Sequence, residues 1–99
     1  MLTINKMKEN EKLTIQLEGR LDTTTAPQLS AELKTALTGI NRLEFDFVKL
    51  TYISSAGLRV LLSAQKKMKK QGSMVISGSR PEIIEIFDAT GFSDFLTIV

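Results

Sequence analysis

The sequence predicts an α/β fold class: a small single-domain mixed β-sheet of four to five strands with three helices packed on it. Three observations carry this prediction. Apolar residues alternate with a period of two in some stretches and recur at three- and four-residue steps in others, and the two kinds take turns along the chain. Turn-forming residues separate the stretches, so the connections are short. The chain has 99 residues, 42% hydrophobic and 24% charged, which suffices for one core and not for two. Residues 1–99 are therefore read as one domain.

"LTINKMKENEKLTIQLEG" predicts two strands around a polar turn at Asn10, because Leu13, Ile15 and Leu17 alternate with Thr14, Gln16 and Glu18. "TTTAPQLSAELKTALTG" predicts a helix capped by Thr24 or Thr25, with Pro27 in its first turn and Gly39 at its stop. Leu29, Leu33, Ala36 and Leu37 make its apolar stripe. "RLEFDFV" alternates again, with Leu43, Phe45 and Phe47 on one face and Glu44 and Asp46 on the other. From Leu58 to Lys70 the pattern is helical, with Leu58, Leu61, Leu62 and Met68 at helical steps and Gly72 beyond the end. "SMVIS" is a nearly continuous apolar run suited to a buried strand. "SRPEIIEIFDATG" opens with a capping-box pattern, Ser79 and Glu82, and closes at Gly91. "DFLTIV" predicts a last short strand or an extended tail. Strand–helix alternation in this order builds a mixed sheet with helices packed against it, on one face where the sheet order keeps growing in one direction.

Composition removes several functions. With no cysteine there is no disulfide framework and no thiolate metal site, and with no histidine there is no His-dependent triad or zinc site. A net charge of +2 does not mark a nucleic-acid or membrane partner. Lys66, Lys67, Lys69 and Lys70 form one basic run at a helix end, where cations complement the dipole, so a solvated helix end is preferred to a nucleic-acid patch. The N-terminus lacks the apolar core of a signal peptide, and no window resembles a spanning helix, so a cytoplasmic protein without direct membrane insertion is expected.

The chemistry concentrates in "YISSAGLR", between a strand and a helix. Carboxyl ends of strands are where ligands collect in open α/β sheets. A helix N-terminus also offers free N–H groups and a positive dipole end, which favour an anion, including a phosphate attached to the chain. Serine is a good N-cap. One cap needs one hydroxyl, however, and the second serine is left over. A serine nucleophile lacks a base here, and the G-x-S-x-G spacing is absent. Gly57, without a side chain, would let a partner approach the backbone.

"LEGRLDTTTAPQL", "LEFDFVKLTYISSAGLRVLLSAQKKMKKQG" and "RPEIIEIFDATGF" together resemble the STAS domain of bacterial anti-sigma factor antagonists, over nearly the whole chain and in order. The resemblance implies a non-enzymatic phospho-switch. In that family an anti-sigma factor serine kinase phosphorylates a serine at the start of the second helix, a PP2C-type serine phosphatase restores it, and the unmodified domain binds the kinase. The acceptor position maps onto Ser55, since Gly57 and Leu58 match the family's "G-L"; Ser54 stands where an acidic residue is usual. Asp22 matches the aspartate after the second strand, and Asp46 matches an acidic position near the acceptor. The partner-binding rim implied by the resemblance comprises Asp22, Thr23 and Thr24 with Ser54, Ser55, Ala56, Gly57, Leu58 and Arg59. No cofactor and no metal is implied. The family's other role is a non-phosphorylated accessory subunit of a transporter complex.

Asp22 and Asp46 taken together would make a carboxylate pair near strand ends on one rim; caps and polar surroundings are the preferred reading over catalysis or Mg²⁺ binding. Ile86 lies off the stripe of Ile83 and Phe87, and beside Phe92 it would extend a partner-binding patch.

Overall fold

The computed structural model covers residues 1–99 and begins with a hairpin. Strands β1 (Leu2–Glu9) and β2 (Lys12–Leu21) pair antiparallel from Leu2 opposite Gly19 to Glu9 opposite Lys12. Asn10 turns the chain with φ 58°, a left-handed conformation that asparagine tolerates. Helix α1 (Ala26–Ala36), strand β3 (Arg42–Ile53), helix α2 (Ser55–Lys69), strand β4 (Ser73–Ser77) and helix α3 (Pro81–Thr90) follow, then a 3₁₀ turn at Phe92–Asp94. The sheet order is β1-β2-β3-β4, with β3 parallel to both β2 and β4. An order that grows in one direction puts right-handed crossovers on one side.

That side is the apolar face anticipated from the alternation. Leu13, Ile15 and Leu17 of β2 and Leu43, Phe45 and Phe47 of β3 are buried in one cluster with Leu29 and Leu33 of α1, Leu58, Leu61 and Met68 of α2, and Ile83 and Phe87 of α3. Each such side chain contributes about 1.5–3 kcal/mol by leaving water. The opposite face carries Thr14, Gln16, Glu18, Glu44 and Asp46, all exposed or half-buried. No helix is long and apolar enough to cross a membrane.

Three local expectations are corrected, and the alternatives for "DFLTIV" are decided. Strand β3 runs on to Ile53, well past the alternating "RLEFDFV". Val48 and Lys49 are both exposed between buried Phe47 and Leu50, and Thr51 and Tyr52 are both exposed between buried Leu50 and Ile53. The β2–β3 register shifts at these places, so irregularities break the alternation without ending the strand. "DFLTIV" is not a fifth strand. Phe95 and Leu96 close back on Phe92 through N–H donation, leaving a single bridge from Ile98 to Ile76 beside β4.

The capping box at Ser79 and Glu82 does not form. Pro81 drives the preceding residue out of helical space, so Arg80 is extended (φ −69°, ψ 155°) and becomes the N-cap. Ser79 lies one residue too early, and its buried Oγ has no hydrogen-bond partner. Finally, Ile86 and Phe92 are partly buried and pack on the core, while Ile84 is the exposed isoleucine of α3. The patch expected from Ile86 and Phe92 is therefore absent.

Ser79→Ala distinguishes the two views of the α3 start. A working cap would lose about 1 kcal/mol on truncation. An unpartnered buried hydroxyl predicts instead no loss, or a gain of up to about 1 kcal/mol, in urea unfolding.

Candidate functional site

Strands β2 and β3 end level with each other. Leu21 pairs with Ile53 as the last step of the parallel ladder, and the Ser54 N–H donates to the Leu21 carbonyl at 2.9 Å. The two chain segments that leave this rim, 22–25 and 54–58, are therefore neighbours.

The two serines divide the work of the helix start. Ser54 is extended (φ −100°, ψ 174°), its Oγ accepts from the Gly57 N–H at 3.3 Å, and its carbonyl accepts from the Leu58 N–H at 2.9 Å. It is the N-cap. Ser55 is the first helical residue and is exposed, so its hydroxyl projects into solvent at the positive end of a 15-residue helix. No acidic residue stands in the first turn of α2.

Gly57 does something other than open the backbone to a partner. It is buried, and a Cβ built there would lie 2.7 Å from Leu21 Cγ and 3.0 Å from Ile53 Cγ1. The missing side chain faces the core, where the helix start rests directly on the two strand ends. Leu58 is likewise buried, Ala56 is half-buried, and only Ser55 and Arg59 of this turn are exposed.

Asp22 holds the other segment. Its Oδ1 accepts from the backbone N–H groups of Thr24 (3.0 Å) and Thr25 (3.1 Å) and from the Thr24 hydroxyl (2.7 Å). Its carbonyl accepts from the Ala26 N–H at 2.8 Å, which closes a helical turn ahead of α1. The cap expected from Thr24 or Thr25 is thus supplied by Asp22. Thr25 stands at the N-cap without a side-chain cap bond; its buried hydroxyl donates to the Arg20 carbonyl and accepts from the Asp22 N–H, both at 2.8 Å. The Thr24 hydroxyl is the largest influence on the Asp22 carboxyl. With the Thr25 and Thr24 amides it outweighs burial and lowers the pKa from 3.8 to about 2. Oδ2 faces the Arg20 guanidinium at 3.6 Å, and that guanidinium lies 4.2 Å over the Tyr52 ring. Arg20 and Tyr52 had no signal of their own in the sequence; they meet because the register places them opposite each other one step before the strand ends.

Asp46 is not near the acceptor. It stands inside β3 opposite Gln16 and Ser77, seven residues before Ile53, which is roughly 23 Å of strand at about 3.3 Å per residue. Its oxygens accept from Gln16 Nε2 (3.2 Å) and the Val48 N–H (3.0 Å) on the polar sheet face. Asp22 and Asp46 therefore form no carboxylate pair. The structure gathers Asp22, Thr23, Thr24 and Ser54–Arg59 at one rim and leaves Asp46 away from it.

The STAS domain family model matches residues 3–99. BtrV of Bordetella bronchiseptica, a protein named as an anti-sigma factor antagonist, is 38% identical over 92% of this chain and 78% of its own. An anti-sigma factor antagonist from Mycobacterium paratuberculosis superposes with a TM-score of 0.89 at 18% identity, covering 99% of this chain and 85% of that one. The antagonist SpoIIAA superposes in its unphosphorylated form with a TM-score of 0.76 at 19% identity, over 100% of this chain and 87% of that one. Its phosphorylated form from Bacillus gives 0.75 at 20% identity, over 100% and 91%. At these identities the superpositions establish the shared fold.

Gly57→Ala is expected to lower stability by about 1–3 kcal/mol, because Leu21 and Ile53 must move to admit the methyl group. The urea midpoint measures this; an unchanged midpoint would show that the helix start does not rest on the strand ends. Asp22→Ala is expected to unfold earlier than the native chain at pH 7. A carboxylate with a folded pKa below its unfolded value stabilises above the unfolded value and loses that contribution as pH falls through the folded one. The gap between the two proteins should therefore be full above pH ~4 and close towards pH ~2. A gap that stays constant over that range would show that the charge on Asp22 does not hold the turn.

Proposed function

Because this chain belongs to the STAS domain family, we propose that it is an anti-sigma factor antagonist, a partner-switching regulator controlled by reversible phosphorylation of Ser55. The observation that carries this reading is the division of roles at the helix start: Ser54 takes the cap and Ser55 is left exposed. The similarity to BtrV over 92% of the chain supports the same role.

In this reading the unmodified domain docks its rim, Asp22 to Thr24 with Ser54, Ser55, Ala56 and Arg59, on an anti-sigma factor serine kinase, while Gly57 and Leu58 are buried beneath that surface and hold the helix start on the strand ends. The kinase supplies ATP and Mg²⁺. Ser55 Oγ attacks the γ-phosphorus, the Oγ–P bond forms, the bond to the bridging oxygen breaks with ADP as leaving group, and the hydroxyl proton passes to a base on the kinase. A PP2C-type phosphatase hydrolyses the ester and restores the hydroxyl. The chain provides the acceptor and the docking surface and performs no catalysis itself.

Phosphorylation blocks docking by changing the surface, not the fold. A phosphoserine adds about −1.5 to −2 charges. At an exposed rim, repulsion from Asp22 is screened to about 1 kcal/mol or less, and the helix dipole opposes it. In the interface the same group must lose water against a surface shaped for a neutral hydroxyl. About 3 kcal/mol of uncompensated desolvation weakens binding more than a hundredfold. SpoIIAA gives the same precedent at the level of fold, since both of its forms superpose on this chain about equally well.

Incubation with the kinase, ATP and Mg²⁺ followed by peptide mass spectrometry is expected to place phosphate on Ser55 and none on Ser55→Ala. Ser55→Ala should still bind the kinase, and Ser55→Asp should bind more weakly. Phosphate on Ser54, or phosphorylated protein that binds as tightly as before, would overturn this reading.

A further inference from the structure

Arg59 is the one cation on the solvent side of the α2 start, and no ion pair or side-chain hydrogen bond of the fold employs it. It stands four residues after Ser55, which puts the two Cβ atoms about 6 Å apart on one helix face. Helical side chains lean towards the N-terminus, which puts the turn that carries Ser55 within reach of the Arg59 guanidinium. The buried residues Gly57, Leu58, Leu61, Ala64 and Met68 define the opposite face, which keeps both side chains in solvent.

The charges around this turn leave Arg59 unopposed. Helix α2 contains no carboxylate, Asp22 is engaged by the Thr24–Thr25 turn, and Arg20 is engaged by Asp22 and the Tyr52 ring. An arginine in this position has its fork of donors free for a planar or tetrahedral oxyanion within reach.

We propose that Arg59 is the intrahelical counter-ion of a phosphate on Ser55, drawing the phosphate onto the helix and being withdrawn from the partner-facing surface in the same step. This rests on Ser55 being the modified residue. It adds a second half to the switch: the modification introduces an anion and also occupies the free cation that the unmodified rim offers to an acidic patch on a partner. Arg59 acts through the phosphate and is a positioning residue.

The test uses the full chain with phosphoserine built in at position 55 during synthesis, so no kinase is needed. Phosphorus NMR then follows the second ionisation of the phosphate, which lies near 6 for an unperturbed phosphoserine. Arg59→Gln is expected to raise that pKa by about 0.3 unit or more at low salt, Arg59→Lys by less, and the difference should shrink in 1 M salt. Lys66→Gln lies on the same helix face about 16 Å from Ser55 and serves as the control for a general field effect. The melting temperature of unphosphorylated Arg59→Gln should equal that of the native chain. Identical phosphate titrations with and without Arg59, or an equal rise on Lys66→Gln, would overturn the proposal. Failure of a kinase to label Ser55 would overturn the functional reading and leave this titration result intact.

Discussion

Helix α2 can start where it does only because β2 and β3 stop level and Gly57 has no side chain. Leu21 and Ile53 present their side chains together at the strand ends, and Gly57 settles on them at distances that a Cβ would reduce to 2.7–3.0 Å. The rest of the rim follows from this contact. It fixes the height of the helix above the sheet, brings Ser54 to the Leu21 carbonyl, and leaves the first helical residue beyond the packed layer. The Asp22 turn departs from the same edge, so the two segments are held together by the ladder and not by any direct bond between their side chains.

The two segments are rigid for different reasons. The turn after β2 is fastened by a carboxylate oxygen that accepts from the amides and hydroxyls of Thr24 and Thr25, and ionised acceptors form the stronger class of such bonds. The α2 start is fastened by packing and one serine cap. A phosphate on Ser55 would alter the surface of a site built this way without breaking either fastening. Conversely, Asp22 is too committed to the turn to be a freely substitutable contact residue, and a variant at this position alters fold and surface together.

The alternation of β2 and the first half of β3, the helical stripes and the order of elements were legible in the sequence because they rest on period alone. What was not legible depends on where elements meet. The Val48–Lys49 and Thr51–Tyr52 irregularities hid the end of β3 from Lys49 to Ile53, and with it the distance that removes Asp46 from the rim. Pro81 overruled the Ser79 capping box through a steric effect on one neighbour. Gly57 looks open in the sequence because its packing partners, Leu21 and Ile53, are 36 and 4 residues away along the chain. The pairing of a cap serine with a leftover serine was visible as a count of hydroxyls, and the structure assigns the cap to Ser54.

That assignment bears on which serine a 99-residue domain can afford to modify. A domain of this size has about 5–15 kcal/mol of stability in all, so a modification that disturbed the helix start would risk the fold. Ser54 is half-buried, and its Oγ is tied to the Gly57 N–H at the point where the helix rests on Leu21 and Ile53. Esterifying that oxygen would place a bulky dianion against the packed layer and replace the cap that sets the helix register. Ser55 is displaced by a single residue, yet the helical rotation of about 100° turns it away from the core and leaves its hydroxyl in water. A phosphate added there meets solvent, the free amides of the first turn and the exposed face of α2, and it touches nothing that the fold depends on.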